Sequence, residues 1–334
     1  MNPTRISVAL ATYNGEKYLP EQLASIAAQT RRPDEIVVGD DQSSDGTEEL
    51  LRRFGHDIGI AIRFTRNPVR LGSSANFGAV LERCQGDVIF LCDQDDVWAP
   101  NKVEKSLAVL NAHPEVGFVF SNANLISGSG QLLGGTLWSR VFFDRAGQEK
   151  FRQHRGSEAL LKTNAVTGAT MAVRRSALAP ALPIPAGWVH DGWLAFVIEL
   201  VAGGLPIDEP LLSYRLHAAQ QIGVVGWSPQ KLRALVRKQD AAFYRGEAAN
   251  YRALAQRLTT LGPSYANTAT RAIAKAAFLD RRARGRENLG ACLRAVVGAM
   301  FARSYEHYGM GAKQAVFDLL GGFDAAGRRF RSQT

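Results

Sequence analysis

Three carboxylates in four residues, Asp93, Asp95 and Asp96, close the apolar run Val88-Ile89-Phe90-Leu91-Cys92, and Trp98 follows shortly after. Acids this close repel one another unless a positive charge lies between them. A hard divalent cation that also touches phosphate oxygens supplies that charge. The same residues can also be a polar turn capping a helix over about 99–112, with Asp96 near its start. The apolar run is short, contains β-branched residues and barely alternates, the habit of a strand covered on both faces in a parallel sheet. Acids at the C-terminal end of such a strand stand where open α/β sheets hold ligands.

The elements that must position this cluster repeat along the chain. A strand over 6–10 ends in Ala11-Thr12-Tyr13-Asn14-Gly15, and one over 35–39 ends in Asp40-Asp41-Gln42-Ser43-Ser44-Asp45-Gly46-Thr47. Helices are expected over 16–28, through Leu50, Leu51 and Phe54, and over 74–83, with a third strand over 60–65. Strand, polar loop and helix repeated four times predict a doubly wound, mainly parallel sheet flanked by helices. The strand ends then share one edge, so Thr12 to Asn14, Asp40-Asp41 and Asp93 to Asp96 converge on one crevice. No Gly-x-Gly-x-x-Gly or Walker lysine stands at the first turn, which argues against a dinucleotide or P-loop site. Further strands are expected at 117–120 and 169–173, with a loop region and a short helix over 127–165. His190-Asp191-Gly192-Trp193 opens an apolar helix that Gly203-Gly204 ends, and extended chain over 206–214 leads to Arg215-Leu216-His217.

Charge is uneven. The chain of 334 residues carries a net +9, but residues 1–227 hold 21 basic and 24 acidic side chains while residues 228–334 hold 19 and 7. Hydrophobic content of 46% argues against broad disorder. The expected division is a catalytic domain over 1–227 and a basic helical region over 228–334, where apolar residues such as Leu232, Leu235, Val236, Leu254 and Leu258 recur at helical spacing. Arg281-Arg282-Ala283-Arg284-Gly285-Arg286 precedes a largely apolar stretch over 289–301, the pattern of an interfacial helix on anionic lipid. It equally fits a helical appendage with solvated arginines packed on the sheet domain. No aromatics interleave the arginines, so nucleic acid is not the expected partner. Residues 6–10 are too short for a signal h-region and no stretch spans a bilayer. Cys84, Cys92 and Cys292 have no paired spacing and Cys92 lies in a core strand, so a cytoplasmic location, peripheral on the inner membrane face, is expected.

Ser7-Val8-Ala9-Leu10-Ala11-Thr12-Tyr13-Asn14, the Asp40 to Thr47 segment and Asp93-Gln94-Asp95, in this order and spacing, resemble the inverting nucleotide-sugar glycosyltransferases of family 2. The resemblance covers about residues 4–225 and implies a GT-A-type, Rossmann-like fold. Cys92 to Trp98, His190 to Trp193 and Tyr214 to His217 resemble the rhamnosyltransferase-like branch, with dTDP-rhamnose as donor. The resemblance implies that Thr12, Tyr13, Asn14, Glu16, Asp41, Asn76, Asp93, Gln94 and Arg215 bind a dTDP- or UDP-sugar. It implies that Asp93, Asp95 and His217 hold Mg²⁺ or Mn²⁺, and that Asp191 is the base for a hydroxyl of a glycan or lipid-linked acceptor. One departure stands out: where many relatives carry Arg before Asn-x-Gly, Ala75 precedes Asn76-Phe77-Gly78. Without the family, Asp191 and Asp45 read as helix caps, and Trp98 and Trp193 as core or as a wall for sugar. The rival activities are a nucleotidyltransferase, which lacks its Gly-rich basic loop here, and a non-catalytic module binding sugar nucleotide or anionic lipid.

Overall fold

A computed structural model describes residues 4–217, 234 and 236–332. The chain divides into two compact units, residues 1–160 with 164–224, and residues 161–163 with 225–334. The expected boundary at 227/228, like Leu232 and Leu235, lies outside the described residues.

In the first unit β1 (Ile6–Thr12), β2 (Glu35–Asp40), β3 (Ala61–Arg66) and β4 (Val88–Asp93) form the parallel half of a nine-stranded sheet, in the order β3-β2-β1-β4. Ile6, Val8, Leu10, Ile36, Val38, Val88 and Phe90 are wholly or almost wholly buried, as unbroken apolar runs require of strands covered on both faces. Each such side chain contributes roughly 1.5–3 kcal/mol relative to exposure. Helices α1 (Leu19–Ala27), α2 (Thr47–Ile58) and α3 (Ser73–Arg83) connect these strands. The expected start of α1 at residue 16 moves to Leu19 because Pro20 suits only a first turn. α2 stops at Gly59, whose φ of 63° closes the helix in the left-handed region.

Beyond β4 the sheet departs from the expected parallel winding. β5 (Val97–Trp98) is a two-residue strand, and α4 (Lys102–Ala112) begins later than expected, with Asn101 at its N-cap. Asp96 therefore caps no helix. β6 (Phe118–Ser127) is one long strand laid down a place away from β4, and β8 (Met171–Arg174) fills the gap antiparallel to both. β7 (Leu132–Thr136) folds back on β6, and three short helices, α5 (Leu137–Arg140), α6 (Arg145–Arg152) and α7 (Gly156–Leu160), occupy the expected loop region. α8 (His190–Ala202) ends at Gly203, φ 69°, and β9 (Gly204–Leu216) runs parallel to β6 and antiparallel to β5.

The second unit is helical: α9 (Ala241–Leu261), α10 (Ala266–Gly285), α11 (Leu289–Phe301), α12 (Ser304–Tyr308) and α13 (Ala312–Ser332). Phe278, Cys292, Val296, Ala299, Tyr305 and Ala315 form its core. The arginine cluster turns inward, against both expectations for it. The Arg282 guanidinium donates to Asp318 at 2.8–3.1 Å and to the Tyr244 hydroxyl at 2.8 Å, and the Tyr305 hydroxyl donates to Asp318 at 2.9 Å. Arg286 donates to Tyr244 and Asp318 beside them, while Arg284 is exposed. Asp318 is the buried counterion that makes this arrangement affordable. No helix among the described residues is long and apolar enough to cross a membrane.

Candidate active site

Register brings the polar strand ends to one rim. Thr12 lies beside Asp40, and Ala11 beside Asp93, across parallel ladders. The Thr12 hydroxyl donates to Asp40 at 3.0 Å, and Ser43 donates its amide and hydroxyl to the same carboxylate at 2.9 and 2.5 Å. The two loops are then laced together. Asn14, at φ 48°, donates its N–H to the Ser43 hydroxyl (2.8 Å) and accepts from Ser44 N–H (2.8 Å). Gly15 N–H donates to Thr47 (2.8 Å), Glu16 N–H donates to Asp45 (3.1 Å), and Glu16 accepts from Gly46 N–H (3.0 Å). Asp45 also accepts from Thr47 N–H (3.1 Å), so it tethers the start of α2 and the first loop together. Burial disfavours its ionised form, but these hydrogen bonds outweigh that and hold the Asp45 carboxyl below its ordinary range.

Several residues expected at the donor have their polar atoms engaged within the fold. Gln94 accepts from Tyr13 N–H (2.9 Å) and donates to the Tyr13 carbonyl (3.0 Å), clamping the first loop to the acidic turn. Asn76 donates to the Gly39 carbonyl (2.7 Å) and accepts from Asn67 (3.0 Å). Asp41 accepts from Leu71 N–H (2.7 Å), Gly72 N–H (2.9 Å) and the Asn67 amide (3.1 Å), which folds the 67–72 turn over it. That turn lays the Arg70 guanidinium on the Tyr13 ring, 3.8 Å from its centroid. Trp98 is almost fully buried, and Trp193 is fully buried with its indole N–H donating to the Ala181 carbonyl at 2.7 Å, so both are core residues.

The acidic turn is braced from β9. Arg215 is 1% exposed; its backbone N–H donates to Asp96 (2.9 Å) and its side chain to the Asp95 carbonyl (2.7 Å), the Ser127 carbonyl (3.3 Å) and Glu21 (2.5 Å). Its guanidinium, expected as a forked donor to a diphosphate, serves in the structure to set the backbone of the acidic turn. His217 Nε2 lies 2.7 Å from an Asp95 carboxylate oxygen. Burial, then the neighbouring Asp95 and Asp191, push the Asp93 carboxyl up to about 7. Burial, then Asp95 and Asp93, hold Asp96 well above its ordinary range. Lys102, fully buried, donates to the Ala169 carbonyl and lies over Trp98. Burial depresses it to about 8, while Cys92, Asp96 and Asp93 oppose that shift, so it is the cation behind this acidic floor.

Asp191, at the first turn of α8, accepts from the Asn164 amide (2.9 Å), from Gly168 N–H (3.1 Å) and from Gly192 N–H (2.6 Å). Three donors fix its direction, and a carboxylate with about four lone-pair sites keeps one for a further partner. His190 beside it stacks on Phe77 at 4.0 Å, and burial keeps its imidazole below the ordinary range. Asn164 and Lys102 carry no sequence signal: Asn164 sits in an unpatterned loop and Lys102 in an ordinary helix start. Gln42, which donates to the Asn67 and Pro68 carbonyls, lay within a recognised segment, but its role depends on a turn 25 residues away.

Among the described residues no group of three His, Cys, Asp or Glu side chains is placed to hold a metal ion by itself. The acidic turn offers at most an incomplete, open set of donors. Burial first, then the neighbouring Asp95 and Asp191, raise Asp93, and a cation beside it would favour its charged form; Asp93, Asp95 and His217 are the oxygen and nitrogen donors of this turn.

The model of the family described as Glycosyl transferase family 2 matches residues 7–179. The chain belongs to this family. The matched span holds Thr12, Asp41, Asp93 and Asp95 and stops short of Asp191, Arg215 and His217. An uncharacterized protein of Mycobacterium tuberculosis is 28% identical over 222 residues, 64% of this chain and 59% of that protein. The chain thus spans about six-tenths of the length of this family 2 relative. Staphylococcus aureus TarS 1-349, in complex with UDP-GlcNAc, superposes with a TM-score of 0.52 at 16% identity, covering 91% of this chain and 89% of that one. The mannosyltransferase PcManGT of Pyrobaculum calidifontis, in complex with GDP-Man and Mn²⁺, gives 0.51 at 18% identity, covering 96% and 86%. At these identities the likeness concerns the fold, and the first unit of this family 2 chain has the α/β GT-A architecture.

Proposed function

We propose that this family 2 chain is an inverting, metal-dependent glycosyltransferase that moves a sugar from a nucleoside diphosphate to a hydroxyl of a glycan or lipid-linked glycan. The observation that carries this reading is the gathering of the polar ends of β1, β2 and β4 on one rim, with Asp191 held by Asn164 and by Gly168, the residue that leads into β8 alongside β4. The Mn²⁺ and nucleotide sugars of the fold neighbours support it by analogy. A bound Mg²⁺ or Mn²⁺ would supply Lewis-acid stabilisation to the departing diphosphate. Asp93 and Asp95, with His217, would hold it. Asp191 would accept the proton of the acceptor hydroxyl on its remaining lone pair, with Asn164 and Gly168 keeping it aimed. Thr12, Asn14 and Asp41 would line the nucleotide side, with Tyr13 and its Arg70 partner offering a flat face to a base. The donor we favour is dTDP-rhamnose, on the strength of the motif resemblance at residues 92–98, 190–193 and 214–217.

A screen of dTDP-, UDP- and GDP-sugars with Mn²⁺ tests this, read first as a rise in melting temperature and then as release of nucleoside diphosphate in the presence of acceptor. Metal-dependent stabilisation by one donor class, with turnover that Asp191→Asn abolishes, is the expected result. Turnover that survives in Asp191→Asn at near-normal rate removes that residue as the base.

A further inference from the structure

The helical unit carries an outward face that glycosyl transfer does not require. On α11 Cys292, Val296 and Ala299 are buried, while Leu293, Val297 and Phe301 are 48%, 49% and 87% exposed. On α13 Ala315 and Phe317 are buried, while Val316, Leu320 and Phe323 are 57%, 44% and 58% exposed. The spacings i, i+4 and i+8 on one helix, and i, i+4 and i+7 on the other, draw a continuous apolar stripe along each. The two helices pack directly, with the Cys292 thiol donating to the Asp318 carbonyl at 3.3 Å. Paired apolar stripes in the open are unusual for a surface bathed only in water.

Charge identifies what covers them. No acidic residue occurs from 288 to 305, and Arg294 and Lys313 stand exposed among the stripes, while Arg303 pairs with Glu306 just past the end of α11. A second copy would bring the same positive charge to the contact, and a nucleic acid would leave the aliphatic side chains unsatisfied. An anionic phospholipid surface satisfies both, with apolar side chains at the headgroup boundary and cations among the phosphates. We propose that α11 and α13 dock on an anionic phospholipid surface through these stripes. The contact is not the Arg281–Arg286 cluster, whose Arg282 and Arg286 are spent on Asp318. This proposal does not rest on the transfer reaction.

Flotation of the full chain with phosphatidylcholine vesicles, and with vesicles also containing phosphatidylglycerol, tests it. The expected result is co-flotation with the anionic vesicles that added salt weakens. The double substitution Phe301→Ser with Leu320→Ser should lower partitioning about tenfold or more, since each large apolar side chain contributes on that scale. Both positions are exposed, so circular dichroism and melting temperature should not move. Arg294→Glu with Lys313→Glu should erase the preference for anionic vesicles. The proposal is overturned by absence of flotation with anionic vesicles, or by binding that the apolar substitutions leave unchanged. It is also overturned by a solution dimer, seen in light scattering, that the same substitutions dissociate.

Discussion

At the scale of single residues, a side chain's partners decide whether it is free for chemistry. Asp40 and Asp41 are adjacent in sequence, yet Asp40 is absorbed by Thr12 and Ser43 while Asp41 organises the 67–72 turn. Replacing Asp41 by Asn sets an NH₂ group against backbone donors. The expected loss is about 1–3 kcal/mol of stability, measured by denaturant unfolding, alongside weaker donor binding. For Asp191→Asn, transfer should fall about 10²–10⁴-fold, the usual contribution of a positioned base, with the donor dissociation constant almost unchanged. Asn164→Ala should lower kcat by a smaller factor, with the donor dissociation constant almost unchanged, because the carboxylate loses the side-chain donor that aims it. An unchanged kcat would argue that Asn164 only shapes the loop.

Elements act here as clamps on one another. Gln94 holds the first loop to the acidic turn through both of its amide atoms, so Gln94→Ala should raise the donor KM more than it lowers kcat. A second clamp joins α7 to α8: Glu199 accepts from Gly156 N–H at 2.7 Å, and burial pushes its carboxyl up to about 8. A carboxyl raised in the folded state favours folding at low pH and loses that contribution as pH climbs from its ordinary range through about 8. Stability should therefore fall across that window by on the order of a few kcal/mol, and Glu199→Gln should flatten the fall in melting temperature. If the slope is the same in both proteins, Glu199 is not its source.

For the whole molecule, two cores of different kinds coexist. The first is an apolar sheet core, while the second centres on Asp318 with Arg282, Arg286, Tyr244 and Tyr305. Asp318→Ala leaves two buried cations without their counterion, and about 3–5 kcal/mol should disappear from the helical unit's unfolding transition in calorimetry. Chelation of divalent ions should abolish transfer without unfolding either unit, and Mn²⁺ or Mg²⁺ should restore it. Activity that persists after exhaustive chelation would refute the metal assignment at Asp93 and Asp95.

Local pattern alone determined the strand ends and their order. Apolar runs such as residues 88–92 can only be buried strands, and parallel strands joined by helices must present their C-terminal ends on one edge. The family motifs sit on those ends for that reason. Only the tertiary structure decided which polar atoms remain available. Arg215 reads from the sequence as either a phosphate ligand or a structural arginine, and its role as a buried brace could not be seen there because its partners at residues 21, 95 and 127 are remote in sequence. The basic run at 281–286 reads equally as a lipid contact or a solvated face, and Arg282 and Arg286 instead join a buried network, because Asp318 meets them from another helix. The reversal of β8 between β4 and β6 is likewise a matter of which slot in the sheet was left open, and no single segment carries that information.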